Sequence, residues 1–179
     1  MSTQLVQTIA EIRKRLEPFR SSQIIGLVPT MGALHAGHES LIQQARKEGD
    51  CLVVSIFVNP LQFGPKEDYT HYPRTPEADL DFCRKLEVDL IFEPEVEEMY
   101  PTPSLTSVEV TRITDHLCGP FRPGHFSGVA TVVAKLFHII QPQRAYFGEK
   151  DAQQLRVIER MVSDLNLGVT VVAVPTVRE

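Results

Sequence analysis

Apolar residues recur along this chain in two rhythms. In residues 3–16, Leu5, Ile9, Ile12 and Leu16 fall at helical spacing, and Pro18 closes the stretch. The run Ile24-Ile25-Gly26-Leu27-Val28 predicts the first strand, and Leu41, Ile42 and Ala45 then set the period of a helix ending near Gly49. Leu52-Val53-Val54-Ser55-Ile56-Phe57-Val58 hardly alternates, as expected of a parallel strand covered on both faces. Residues 59–75 are polar and broken by Pro60, Gly64, Pro65 and Pro73, which predicts a long loop of the kind that carries function or motion. A helix over 76–86 leads into a strand over 88–92, and weak alternation over 106–110 predicts an edge strand. Residues 129–140 are apolar nearly all round and read as a buried helix. A strand over 144–147, a helix over 152–165 and a strand over 169–174 follow. Strands alternating with helices, without internal repeats, predict one α/β domain with a doubly wound, Rossmann-like parallel sheet and right-handed crossovers.

Composition narrows the partners. With 179 residues, 42% hydrophobic and 23% charged, the chain suits one domain that buries roughly 70% of its unfolded surface. A net charge of −5, with no basic cluster longer than Arg13-Lys14-Arg15, argues against nucleic acid held by phosphate neutralisation. Cys51, Cys83 and Cys118 are odd in number and widely spaced, the pattern of reduced, mostly buried thiols. No run reaches the length of a membrane span, and no signal-peptide core opens the chain. The expectation is a cytoplasmic protein without a membrane partner.

Three segments that each follow a predicted strand carry candidate chemistry: residues 29–38, 59–64 and 148–151. In such sheets ligands sit at the carboxyl ends of strands, so the three converge on one rim. His35 and His38 fall at a strand-to-helix junction, where free N–H groups and the helix dipole favour an anion. Two imidazoles there can donate to phosphate oxygens as charge builds. Gly37 between them leaves room for a flat ligand. Lys150 offers a point charge to a polyphosphate and Gly148 permits close backbone approach, whereas Asp151 reads as the N-cap of the next helix, accepting from Gln153 or Gln154. Gly-x-x-x-x-Gly-Lys-Ser/Thr and Gly-x-Gly-x-x-Gly are both absent, which excludes a P-loop and gives a dinucleotide site no support. Gln62 and Gln154 offer uncharged donors and acceptors to a ligand bearing hydroxyl and carboxylate groups, leaving a carboxylate nucleophilic. Asp79 lies early in a helix, where the dipole already favours it; holding Mg²⁺ is the alternative. Arg122, Gly124 and His125 lead into the buried helix, either covering a substrate or merely starting the helix. His71, His116 and His138 read as structural.

Pro29-Thr30-Met31-Gly32-Ala33-Leu34-His35-Ala36-Gly37-His38, Ser55-Ile56-Phe57-Val58-Asn59-Pro60-Leu61-Gln62-Phe63, Tyr72-Pro73-Arg74-Thr75, Arg122-Pro123-Gly124-His125-Phe126 and Phe147-Gly148-Glu149-Lys150-Asp151 closely resemble pantothenate synthetase, or pantoate–β-alanine ligase. The resemblance covers nearly the whole chain in order. It implies the His-x-Gly-His nucleotidyltransferase type of fold, shared with class I aminoacyl-tRNA synthetases and nucleotidylyltransferases. It also implies a ligase that joins pantoate to β-alanine through a pantoyl adenylate, with ATP as substrate and Mg²⁺ alongside. Carried over residue by residue, Met31, Gly32, Ala33, Leu34, His35, Ala36, Gly37 and His38 would hold ATP, with His38 as proton donor and His35 and Lys150 assisting at the phosphates. Gly148, Glu149, Lys150, Asp151 and Val177 would also contact ATP. Gln62 would contact pantoate and β-alanine, Gln154 pantoate, and Asn59 would line the pantoate pocket. Around Asp79 the metal assignment transfers poorly, because Ala78 and Phe82 stand beside it. The family continues past Arg178 into a Ser-Ser-Arg segment and a smaller C-terminal domain, joined in some relatives to a cytidylate kinase. Residues 1–179 are thus expected to be the N-terminal nucleotide-binding domain of a longer, homodimeric ligase without its lid, and impaired alone. Two alternatives stay open: a nucleotidylyltransferase, and a non-catalytic fragment for nucleotide binding or dimerisation.

Overall fold

The computed structural model describes residues 2–64, 67, 69–113 and 122–175. Strands β1 (Gln4–Val6), β2 (Ile25–Thr30), β3 (Cys51–Ile56), β4 (Leu90–Phe92), β5 (Arg144–Gly148) and β6 (Thr170–Val174) form one all-parallel sheet in the order β1-β4-β3-β2-β5-β6. Helices α1 (Ile9–Leu16), α2 (Ala36–Glu48), α3 (Pro76–Lys85), α4 (Val96–Met99), α5 (His125–Ile140) and α6 (Ala152–Asp164) accompany it. Successive strand residues face opposite sides. Ile25, Leu27, Val53, Phe92 and Ala145 enter a core shared with α1, α5 and α6, while Val28, Val54, Ile91 and Tyr146 enter a second core with α2 and α3. This two-sided burial is why β3 reads as an unbroken apolar run.

The chain steps outward from β2 to β3 and β4, then returns to add β5 and β6 on the other side of β2. Right-handed crossovers place helices on opposite faces for the two directions of travel, as the two cores show. At the reversal, β2 pairs with β3 as far as Thr30↔Ile56 but with β5 only at Gly26↔Arg144 and Leu27↔Ala145. The carbonyl of Ile25 accepts from Gln143 beside β5, and that of Thr30 from Phe57 beyond β3. Odd-numbered residues of β2 therefore aim their backbone groups at β5. Pro29 is the next in that series and has no N–H to give. The β2–β5 ladder stops below it, and the strands part into a crevice at their carboxyl ends.

Two expected elements differ. Residues 3–16 are not one helix: Gln4–Val6 is an edge strand paired to β4, and α1 starts only after Thr8, whose hydroxyl accepts from Glu11 N at 3.2 Å. Leu5 keeps the helical spacing yet is 42% exposed, because a sheet edge claimed the backbone first. Residues 106–110 form no strand. Val108 instead receives Ser127 Oγ on its carbonyl (3.2 Å) and donates to Thr131 Oγ1 (2.9 Å), so α5 hydroxyls satisfy what a ladder would have. Among the described residues no helix is long and apolar enough to cross a membrane.

Cys51 and Cys83 are fully buried, and burial pushes both thiols up to about 12. Cys118 lies outside the described residues. Cys51 and Cys83 should resist a thiol reagent at pH 8 in the native protein and react once it is denatured. Peptide mapping by mass spectrometry reads this; labelling of either before unfolding would contradict the packing.

Candidate active site

At the end of β2 the chain turns sharply. Thr30 Oγ1 donates to Ser55 O at 2.8 Å and accepts from Gly32 N at 3.2 Å. Gly32 (φ 79°) and Ala33 (φ 51°) both lie in the left-handed region, which for a non-glycine residue costs about 1–3 kcal/mol. Asp79, 3% exposed in the first turn of α3, holds this turn: Oδ2 accepts from Ala33 N (3.0 Å) and Oδ1 from Leu34 N (2.8 Å). Bonds to a charged acceptor contribute about 1.5–3 kcal/mol each, enough to offset the strain.

The clasp delivers the chain into α2 with the histidines in a fixed arrangement. His35 is the N-cap, and its Nδ1 accepts from Gly37 N at 3.0 Å; His38 Nδ1 accepts from His35 N at 3.3 Å. The ring centres stand 4.2 Å apart, tilted by 50°. A Cβ on residue 37 would fall 2.8 Å from His35 Cε1, so the absence of a side chain at Gly37 is what lets the imidazole cap the helix. With Nδ1 accepting in both rings, each neutral ring carries its proton on Nε2. Burial lowers the His38 pKa from 6.5 to about 4, helped by nearby His35 and opposed by Asp79. At neutral pH His38 is thus an uncharged N–H donor.

Two cavities meet at this pair. The inner one, of about 280 Å³, has an apolar floor from Val129, Val132, Val133 and Leu136 of α5, with Phe57 and Phe147; Met31, Gln62, Tyr72, Asp151 and Gln154 provide its polar wall. The outer one, of about 530 Å³, lies between the N-terminus of α2 and the β5–α6 turn, lined by Ala36, Gly37, Gly148, Lys150, Asp151 and Gln154. Pro29, His35 and His38 border both. Neither Lys nor Arg stands among the described residues of the inner wall.

Most predicted site residues come together here, with exceptions. Gly32, Ala33 and Leu34 shape the turn rather than line either cavity, and Glu149 is exposed and lines neither. Val177 lies outside the described residues, as does His116. Asp151 occupies the N-cap position of α6 without a side-chain capping bond, and it lines both cavities. Asn59 does not line the pocket. It is 1% exposed, with Nδ2 donating to Gln62 Oε1 (3.3 Å) and Gly128 O (3.0 Å), and Oδ1 accepting from Leu61 N and Tyr100 Oη. Gln62 Nε2 in turn donates to Met31 Sδ at 2.9 Å. Both oxygens of Asp79 are taken by backbone N–H groups, and no cluster of three His, Cys, Asp or Glu fit for a metal exists among the described residues. A protein-held Mg²⁺ does not fit this donor set. Sequence reasoning passed over Phe57 and the α5 valines, whose apolar type signals core as readily as pocket.

Fold and site together define an α/β domain of the Rossmann-like nucleotidyltransferase type. The model of the family described as pantoate-beta-alanine ligase matches residues 4–179. A pantothenate synthetase of Thermotoga petrophila is 57% identical over 176 residues, covering 98% of this chain and 63% of its own. The crystal structure of pantoate-beta-alanine ligase from Thermus thermophilus superposes with a TM-score of 0.93 at 56% identity, covering 98% of this chain and 62% of that one. That of the Francisella tularensis ligase, complexed with beta-gamma ATP and beta-alanine, gives 0.95 at 41% identity, covering 99% and 69%. This chain belongs to the pantoate–β-alanine ligase family. It spans just over three-fifths of the length of the Thermotoga relative.

Since its folded pKa lies below 6.5, the stability linked to His38 is complete above pH 6.5 and is lost as pH falls from there towards 4. Long-range ¹H–¹⁵N spectra should show His38 neutral and protonated at Nε2 from pH 8 down to pH 5. A ring titrating near 6.5, or protonated at Nδ1, would contradict the geometry.

Proposed function

We propose that this domain binds ATP in the outer cavity and pantoate in the inner one. In a protein of its relatives' full length, it would condense pantoate with β-alanine to give pantothenate. The observation that carries this reading is the histidine pair standing on the border between a cavity walled by amides and one carboxylate, without a cation among its described residues, and a cavity at a helix N-terminus. The relative from Francisella, complexed with a form of ATP and with β-alanine, supports both as substrates. Mg²⁺ belongs to this proposal as the companion of ATP's phosphates, not as a protein-held ion. A cytoplasmic homodimer is the state proposed for the full-length protein.

The reaction would run in two steps. A pantoate carboxylate oxygen, oriented by neutral Gln62 and Gln154, attacks the α-phosphorus of ATP; the bond to the β-phosphate oxygen breaks and pyrophosphate leaves. Neutral amides orient the carboxylate without quenching it in an ion pair. The Nε2–H groups of His35 and His38 donate to phosphate oxygens as charge develops, and Lys150 at the cavity mouth supplies a positive charge. The β-alanine amine then attacks the acyl carbon, AMP leaves with the bonding pair, and the amine loses a proton to give the amide. A cover over the phosphates would come from the remainder of the full-length protein, excluding water and completing the charge-stabilising set. A nucleotidylyltransferase would join a phosphorylated acceptor and require cations around it, which the inner wall lacks among its described residues.

Calorimetry of this chain with ATP and with pantoate should show binding of both, with little pantothenate formed unless the full-length continuation is present. In the full-length protein, His38→Ala should slow adenylation by about 10²–10³-fold while changing ATP affinity far less. Gln154→Ala should weaken pantoate binding by about 0.5–1.5 kcal/mol. Wild-type adenylation rates in the His38 variant, or a phosphorylated acceptor accepted in place of pantoate, would sink the assignment.

A further inference from the structure

Gln62 reaches the inner cavity from a short turn, Pro60–Gln62, that packs directly onto the first turns of α5. The approach is close enough to require the absence of a side chain at residue 128. A Cβ there would fall 2.4 Å from Leu61 O and 2.6 Å from Gln62 Cα, both backbone atoms, where ordinary contact begins at 3.4 Å. An alanine would drive the turn back by about 1 Å. Glycine within a helix costs about 1 kcal/mol relative to alanine, so helix propensity does not explain it.

The same stretch of α5 supplies two bonds to the turn. Gly128 O accepts from Asn59 Nδ2, which also donates to Gln62 Oε1. One turn earlier, buried His125 donates from Nδ1 to Gln62 O at 2.9 Å. Its Nε2 accepts from Arg122 at 3.1 Å, and Arg122 Nε pairs with Glu67 Oε1 at 2.5 Å. An arginine donating to Nε2 leaves the proton on Nδ1, the tautomer the Gln62 carbonyl requires. Burial chiefly lowers the His125 pKa, which keeps the ring neutral in that role. Neither residue lines the inner cavity among the described residues.

We propose that His125 and Gly128 are positioning residues that set the Gln62 amide in the substrate cavity and thereby govern affinity for the carboxylate substrate. The affinity part rests on reading that cavity as the pantoate site; the placement of Gln62 does not.

The test compares Gly128→Ala, His125→Ala and His125→Asn with the unaltered chain, each checked for folding by circular dichroism. The Asn amide can donate from where Nδ1 stands. One readout needs no ligand: the nuclear Overhauser contact between the Gln62 side-chain amide and the Met31 methyl group. The other is calorimetric affinity for pantoate and for ATP. Gly128→Ala and His125→Ala should lose the contact and weaken pantoate binding by about tenfold, roughly 1.4 kcal/mol, with ATP affinity changed less than about twofold. His125→Asn should restore both readouts. A retained Gln62–Met31 contact in folded Gly128→Ala or His125→Ala overturns the proposal, as does His125→Asn behaving like His125→Ala. An unaltered chain that binds no pantoate would refute the ligand reading, while the contact in the variants would still decide the positioning.

Discussion

The candidate site depends on one buried carboxylate. Asp79 spends both oxygens on consecutive backbone N–H groups, Ala33 and Leu34, of a turn that would otherwise be strained. Its own place is secured by α3, where Asp79 N donates to Thr75 O and the helix dipole favours negative charge. Without that clasp the chain has no reason to hold two successive left-handed residues, and α2 would not begin where it does. The order of the histidines, each Nδ1 engaged by a backbone N–H, follows from the start of that helix.

Around this clasp the sheet supplies the space. Strand order reverses between β2 and β5, and Pro29 cannot extend their ladder, so the crevice opens beside the turn Asp79 holds. The α5 helix closes the crevice from below with valines and fixes Gln62 on its wall. The result sets two adjoining environments side by side: a hollow with an apolar floor, walled by amides and the Asp151 carboxylate, and a helix N-terminus facing solvent. A carboxylate can be oriented in the first without being neutralised, and phosphate charge can be met in the second. Neutral His38 stands between them, with its donor fixed before any ligand arrives.

Much of this was legible in the sequence. Apolar runs and helical periods located five of the strands and the helices flanking them, because burial on both faces leaves an unambiguous pattern in β2 and β3. The three loops after strands pointed to one rim, where most of the named residues meet. What escaped was whatever depends on a neighbour distant in sequence. Leu5 sits on the helical period of α1, yet the edge of β4 drew its backbone into a strand. Asn59 is polar and adjacent to Gln62, which suggests a pocket residue, but its bonds to Gly128 and Tyr100 bury it as a support. Asp79 looked like a dipole partner or a metal ligand, and only the fold shows which backbone groups it holds. Gly128 fell just outside the helix expected over 129–140, and only the structure, which starts α5 at His125, shows it in the helix with a turn packed against it.

The most direct measurement is the response of the histidine turn to removal of the clasp. In Asp79→Ala, backbone amide shifts of residues 32–38 and the ¹⁵N shifts of His38 should move or broaden, the His38 Nδ1 should lose its acceptor signature, and ATP affinity should fall, while the far edge at β6 keeps its spectrum. Unchanged histidine shifts and unchanged ATP affinity in a folded Asp79→Ala protein would show that the turn holds itself, and would contradict the account.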